Sequence, residues 1–323
     1  MVVELTSLKG LGDWPVMRKE MEAAVASVLG KMPKERVDLQ AKVMDETDFS
    51  GYVRRRINYF VDEWNRVSAW MFVPEGSENR PALLCMHGMT PLGKSEPAGM
   101  DGGDPMLAFA RHYAERGYVT LAPDCITCGE RVYSRLEPFD TELFYKDNPK
   151  MSVMGKMLLD HMSCVELLAE TQEVDPARIG AIGHDMGSYN ALFLAAFDDR
   201  ISACVASCGI TSFVEDSEPE RWAQEAGFVL MPKLRSAIES REYPFDWDQI
   251  LALVAPSPTL LITALNDELL PNTRSVDKAM KRALKIYKML GAGSAIANLT
   301  HRDGHRMTPE ALGAADNWFE RWL

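Results

Sequence analysis

Arg178-Ile-Gly-Ala-Ile-Gly-His-Asp-Met-Gly187, continuing as Ser188-Tyr-Asn-Ala-Leu-Phe-Leu-Ala-Ala-Phe197, is the stretch on which the reading of this chain turns. Its first half reads as a short buried strand, and its second half is apolar at helical spacing. Gly183 and Gly187 flank Asp185, which lets the backbone turn sharply and lets strand and helix pack closely. That is the setting of a nucleophile elbow, which presents one reactive side chain at the top of a parallel sheet. Such elbows usually read Gly-x-Ser-x-Gly. Here the reactive position holds a carboxylate.

The same strand–helix rhythm extends in both directions. Ala82–Met86 is an apolar run ending in His87-Gly88. Pro105–Arg116 reads as a helix, Tyr118–Ala122 as a strand and Val153–Thr171 as a helix. Beyond the elbow, Ile201–Ser207 and Pro258–Ala264 read as strands, Asn272–Leu290 as a helix and Ala295–Leu299 as the last strand, with Pro309–Leu323 a closing amphipathic helix. Alternating buried strands and helices predict an α/β fold with a doubly wound, mostly parallel sheet. Upstream, Asp13–Lys31 reads as a helix. From Arg36 to Val73 the pattern turns to β, with alternation over Val37, Leu39, Ala41 and Val43 and strand candidates at Tyr52–Val61 and Val67–Val73. Residues 1–80 are therefore expected to add a helix and antiparallel edge strands to the same domain whose α/β core spans 81–323. The connections at 123–151 and 209–244 are long enough to suggest binding loops or lids. Residues 209–244 are read as a cap-like insertion. It and the residues just after it carry Phe213, Trp222, Phe228, Met231, Tyr243, Phe245 and Trp247, which suit either a pocket wall or plain core and interface packing.

Composition narrows the function classes. The 323 residues are 46% hydrophobic and 25% charged, ordinary for a globular chain. The net charge of −12 argues against nucleic acid or an anionic membrane as partner and leaves a small-molecule substrate. No apolar run has the length of about 20 residues that a membrane span needs. The start shows no basic region followed by an apolar core, so no leader is expected and a cytoplasmic location is. The acidic surface and the aromatic insertion are compatible with a homodimer. Of the six cysteines, Cys125 and Cys128 have CxxC spacing, but no second pair completes a zinc site, so no metal is expected. Nor does any nucleotide-binding loop appear, and no cofactor is expected.

Two further polar groups complete the constellation. Leu260–Asp267 is a buried strand running into an acid, and Thr300-His-Arg-Asp-Gly-His305 follows the last strand. Nucleophile, acid, then His is the order a triad takes on this sheet, and each candidate follows a predicted strand. His301 competes with His305, and Glu268 with Asp267. His87, His112, His161 and His184 read as packed or surface residues, and Glu130 with Arg131 as a structural ion pair.

With these pieces in place the chain resembles the α/β-hydrolase superfamily, nearest to the dienelactone hydrolase and acetyl xylan esterase type. The resembling segments are Leu83–Gly88, Arg116–Asp124, Gly129–Arg131, Arg178–Gly187, Leu261–Asp267 and Asp303–His305. The resemblance implies that Asp267 orients His305, that His305 is the base, and that the backbone N–H groups of Met186 and Met89 form an oxyanion hole. It also implies a Ser or Cys where this chain has Asp185.

A carboxylate changes the chemistry. It is ionised at neutral pH and needs no base to attack. Attack on a carboxylic ester would give a high-energy anhydride, whereas attack on an sp³ carbon gives an ordinary alkyl ester. His305 would then activate the water that hydrolyses this ester. Epoxide hydrolases and dehalogenases on this fold work in this way, although such dehalogenases place Trp where this chain has Met186, and no epoxide-opening tyrosine pair stands out beyond the candidates Tyr133, Tyr145 and Tyr243. The alternatives are an esterase framework whose Ser is replaced by Asp185, a ligand-binding protein without catalysis, and a lyase or isomerase with Asp185 as general base.

Overall fold

The computed structural model describes residues 5, 10–32, 37–76 and 78–323. The start of the predicted β region at Arg36, and most of the first nine residues, lie outside them. Nine strands form one sheet: β1 (Lys42–Phe49), β2 (Tyr52–Phe60), β3 (Arg66–Pro74), β4 (Arg80–Met86), β5 (Val119–Pro123), β6 (Val174–His184), β7 (Ile201–Ser207), β8 (Thr259–Ala264) and β9 (Ile296–His301). Their order is β1-β2-β3-β5-β4-β6-β7-β8-β9. From β5 to β9 all neighbours are parallel, while β1, β2 and β3 extend the sheet antiparallel from β5. Strands β5, β7 and β8, most of β4 and the C-terminal half of β6 are buried, which is why they read as continuous apolar runs.

Among the described residues, nine helices cover the sheet: α1 (Trp14–Leu29), α2 (Phe109–Ala114), α3 (Glu142–Asp147), α4 (Val153–Glu170), α5 (Met186–Phe197), α6 (Leu234–Ser240), α7 (Trp247–Val254), α8 (Arg274–Met289) and α9 (Pro309–Trp322). One apolar core lies beneath α1, α4, α5, α7 and α8, and a second, smaller one beneath α2 and α9. The two layers give the doubly wound α/β architecture that the strand–helix rhythm predicts. Because β4 connects to β5 on one side and β6 lies on its other side, the strand order reverses at β4. Ligand sites of such sheets lie beyond the strand C-termini at this point.

Three local readings differ from the structure. Residues 37–41 do not join the sheet: Gln40 takes a left-handed conformation (φ 43°), and β1 starts only at Lys42. The predicted helix Pro105–Arg116 is broken at Ala108, where a 3₁₀ turn capped by Asp104 gives way to α2. Within and after the insertion, α6 and α7 stand where the sequence showed only an irregular, aromatic stretch. Its rings are core. Phe213 lies within 5.4–5.7 Å, centroid to centroid, of Trp222, Tyr243, Phe245 and Trp247, and Phe193 of α5 packs on the last two.

Candidate active site

Asp185 stands between β6 and α5 with φ 53° and ψ −120°, a conformation that costs a non-glycine residue about 1–3 kcal/mol. The neighbouring glycines make it attainable. A Cβ on Gly187 would run into the carbonyl oxygen of Met86 at the end of β4, so only glycine lets α5 approach the sheet this closely. The turn is further tied by the Asp185 N–H, which donates to Ser207 O at 2.9 Å. The carboxylate is thereby lifted above the strand ends and is half-buried.

Three more loops from the same sheet edge meet it. After β4, the Met89 N–H donates to Asp185 Oδ2 at 2.6 Å. After β9, His305 places Nε2 at 3.7 Å from Asp185 Oδ1. After β8, buried Asp267 accepts from His305 Nδ1, 3.0 Å to Oδ1 and 2.9 Å to Oδ2. Asp267 Oδ1 also accepts the Leu269 and Leu270 N–H groups at 2.9 and 2.8 Å, which fixes the acid before it meets the imidazole. Sequence order and strand position thus bring Asp185, Asp267 and His305 together, with Met89 against the nucleophile position. Met186, the first residue of α5, is fully buried beside them.

The charges are mutually set. Burial alone would lower the His305 pKa, but the flanking carboxylates Asp185 and Asp267 outweigh it and hold the ring at about 9. Burial likewise opposes ionisation of Asp185, yet His305 and the Met89 N–H keep its carboxyl below the usual range. At neutral pH the pair is carboxylate and imidazolium. His184 packs its ring 4.9 Å from that of His305, and its Nδ1 meets Ser207 Oγ at 3.0 Å. Burial first, then the His305 charge, push His184 down to about 4, so it stays neutral.

The competing residues fall elsewhere. His301 ends β9 with a buried ring that has no hydrogen-bond partner. Glu268 accepts the His305 N–H at 3.1 Å and so braces the loop, leaving orientation of the ring to Asp267. His87 bridges Gly88 O and the Cys125 N–H, and His112 pairs with Asp316. Glu130 pairs with Lys94 and Arg131 with Asp160, two separate ion pairs and not one with each other. Tyr145 donates to Val229 O and Tyr243 stacks on Phe213, so both are structural. Cys125 and Cys128 are buried thiols pushed up by burial, and among the described residues no group of His, Cys, Asp or Glu is arranged to hold a metal ion. One residue at the site escaped sequence reasoning. Glu96, ten positions beyond Met86, accepts the Gly88 N–H at 3.0 Å.

Strand order, elbow and the convergence of loops on one sheet edge are those of the α/β-hydrolase fold, and the chain is a hydrolase. It is dienelactone hydrolase-like: the profile of the Dienelactone hydrolase family matches residues 95–231. The chain is 26% identical over 315 residues to a Bacillus subtilis (strain 168) protein named "Putative hydrolase YtaP", covering 95% of this chain and 100% of the relative. Among solved structures, a glucuronoyl esterase from Solibacter usitatus superposes with a TM-score of 0.79 at 15% identity, over 99% of this chain and 97% of the esterase. An acetyl xylan esterase from Paenibacillus sp. R4 superposes with a TM-score of 0.64 at 18% identity, over 98% and 96% of the two chains. No helix among the described residues is long and apolar enough to cross a membrane.

Proposed function

We propose that this hydrolase works through a covalent alkyl ester on Asp185, formed from an epoxide or alkyl-halide type substrate and hydrolysed by water that His305 activates. The observation that carries the reading is the division of labour between the two oxygens of one carboxylate. Oδ2 accepts the Met89 N–H, while Oδ1 stands 3.7 Å from His305 Nε2 without a hydrogen bond to it. Oδ1 is the free nucleophile. It donates a lone pair to the sp³ carbon as the bond to the leaving group breaks, and the leaving group departs with that electron pair.

The second half uses the same contacts. Alkylation removes the Asp185 charge that helps hold the His305 proton, so the ring passes its Nε2 proton to the alkoxide of an opened epoxide, or to solvent after a halide leaves, and becomes a base. It then takes a proton from water, whose oxygen adds to Asp185 Cγ. The charge that develops on Oδ2 meets the Met89 N–H, already at 2.6 Å. Collapse breaks the Cγ–Oδ1 bond, the proton on Nε2 passes to the alkoxide that departs with Oδ1, and the remaining hydroxyl proton returns to His305 as the carboxylate re-forms. Asp267 keeps Nδ1 protonated throughout.

The test is intact-protein mass spectrometry of His305→Ala after exposure to epoxides, alkyl halides and activated esters. An adduct that maps to Asp185 after an epoxide or halide supports the mechanism. The absence of any adduct, together with ester hydrolysis gained by Asp185→Ser, would replace it with an esterase framework whose Ser has been exchanged.

A further inference from the structure

Glu96 is a buried carboxyl, 8% exposed, with no Lys, Arg or His within ion-pair distance among the described residues. Its Oε2 accepts the Gly88 N–H at 3.0 Å, and the next N–H along the chain is the Met89 donor to Asp185. A Cβ placed on Gly88 would lie 3.4 Å from Asp185 Oδ2 and 3.5 Å from Glu96 Oε2. The two carboxyl groups therefore converge on the Cβ side of Gly88 and hold two successive N–H groups of the turn. The loop that carries Glu96 is itself fixed: its N–H donates to Gly93 O, its carbonyl accepts from Gly99, and adjacent Lys94 is buried on Asp124, with 2.6 Å between Nζ and Oδ2.

We propose that Glu96 is a positioning residue which, through the Gly88 N–H it accepts, holds the Gly88–Met89 turn so that the Met89 N–H stays on Asp185 Oδ2. A flexible His-Gly-Met turn would let that donor swing to solvent, since the Met89 side chain is half exposed and gives the turn little packing. An ionised Glu96 beside Gly88 would oppose the negative charge that develops on Oδ2. The groups that face it disfavour that ionised form. Burial first, then the charges of Asp185 from the elbow and Asp104 from its own loop, raise its pKa above the usual Glu range, and the Gly88 N–H offsets only part of this.

The hydrolytic arm of the test rests on the alkyl-ester reading above; the structural arm does not. Glu96→Gln keeps an acceptor oxygen without a charge, and Glu96→Ala removes it. Amide hydrogen exchange of the substrate-free chain should rise about tenfold or more at Gly88 and Met89 in Glu96→Ala, as expected for a lost local hydrogen bond. Exchange elsewhere should be unchanged, and Glu96→Gln should stay close to wild type. Hydrolysis of the Asp185 adduct should slow by about 10²-fold in Glu96→Ala, the scale of a displaced oxyanion donor. Glu96→Gln should restore it. Unchanged exchange at Met89 in Glu96→Ala, or a Glu96→Gln variant as slow and as exchangeable as Glu96→Ala, overturns the proposal. If no adduct forms in any background, the alkyl-ester reading fails, and the exchange arm alone decides the role of Glu96.

Discussion

His305 Nε2 stands 3.7 Å from Asp185 Oδ1, near enough for the charges to pair yet beyond a hydrogen bond. The pairing makes the imidazole titration a reporter of the Asp185 charge. In NMR titration the His305 ring should titrate near 9 in wild type and move down toward the ordinary value of 6.5 in Asp185→Asn. The sign for stability follows. A folded pKa raised above the unfolded one stabilises fully below about 6.5, and that contribution is lost as pH rises through about 9. Thermal melts of wild type between pH 6 and 10 should lose the corresponding stability, and those of Asp185→Asn should lose less. An unshifted ring in both proteins would remove the charge-coupling argument.

Asp267 accepts Nδ1–H through both oxygens and is itself held by two backbone N–H groups. Asp267→Asn keeps the shape but presents an amide that can donate to Nδ1, which favours the wrong tautomer. The alkylation step needs no base, whereas the hydrolysis step does. Rapid-quench kinetics should therefore show adduct formation within about tenfold of wild type and hydrolysis slowed toward the 10⁴-fold typical of a mis-set triad. An equal loss in both steps would indicate that Asp267 acts on substrate binding instead.

How much of this was visible in the sequence depended on whether a feature is local. The elbow, the acid after β8 and the His after β9 each follow an apolar run, so periodicity and order sufficed to place Asp185, Asp267 and His305 at one sheet edge. Helix α7 is also legible in principle, because Asp246 and Gln249 form a capping box; the aromatic residues around it leave pocket wall and core packing equally open. Those aromatics pack among themselves and on Phe193, a long-range outcome that composition does not reveal. Glu96 lay beyond reach for the same reason. Its partner is the backbone of Gly88, eight residues earlier, and a backbone donor leaves no trace in residue identity.

The close approach of α5 to β4 gives a prediction independent of chemistry. Gly187 has no room for a Cβ against the backbone of Met86 and His87, and backbone yields less readily than a side chain tip. Gly187→Ala should therefore destabilise by about 1–3 kcal/mol or more, the range for overpacked sites. Urea unfolding should show a lower midpoint with an unchanged slope. Wild-type stability with full activity would mean that the helix shifts freely, against the tight elbow described here.

The surroundings of Asp185 also bear on what it accepts. Met89 and Leu269 are large apolar side chains left 49% and 52% exposed. Both sit on backbone N–H groups, bonded to Asp185 and Asp267. The carboxyl groups of Asp185, Asp267 and Glu268 lie around the same centre, and two unit charges 4 Å apart at an effective dielectric of 20 repel by about 4 kcal/mol. An uncharged alkyl electrophile should thus be preferred over a matched one bearing a carboxylate. With a 2-halo acid and its amide compared at equal leaving group, kcat/KM should favour the amide by about tenfold or more, and added salt should narrow the gap. Leu269→Asp should widen it for the acid and weaken long-chain substrates through KM, with kcat for the shortest substrate little changed. Preference for the acid would instead place a cation at the mouth, with Arg306, adjacent to His305 in the chain and exposed, the first residue to replace.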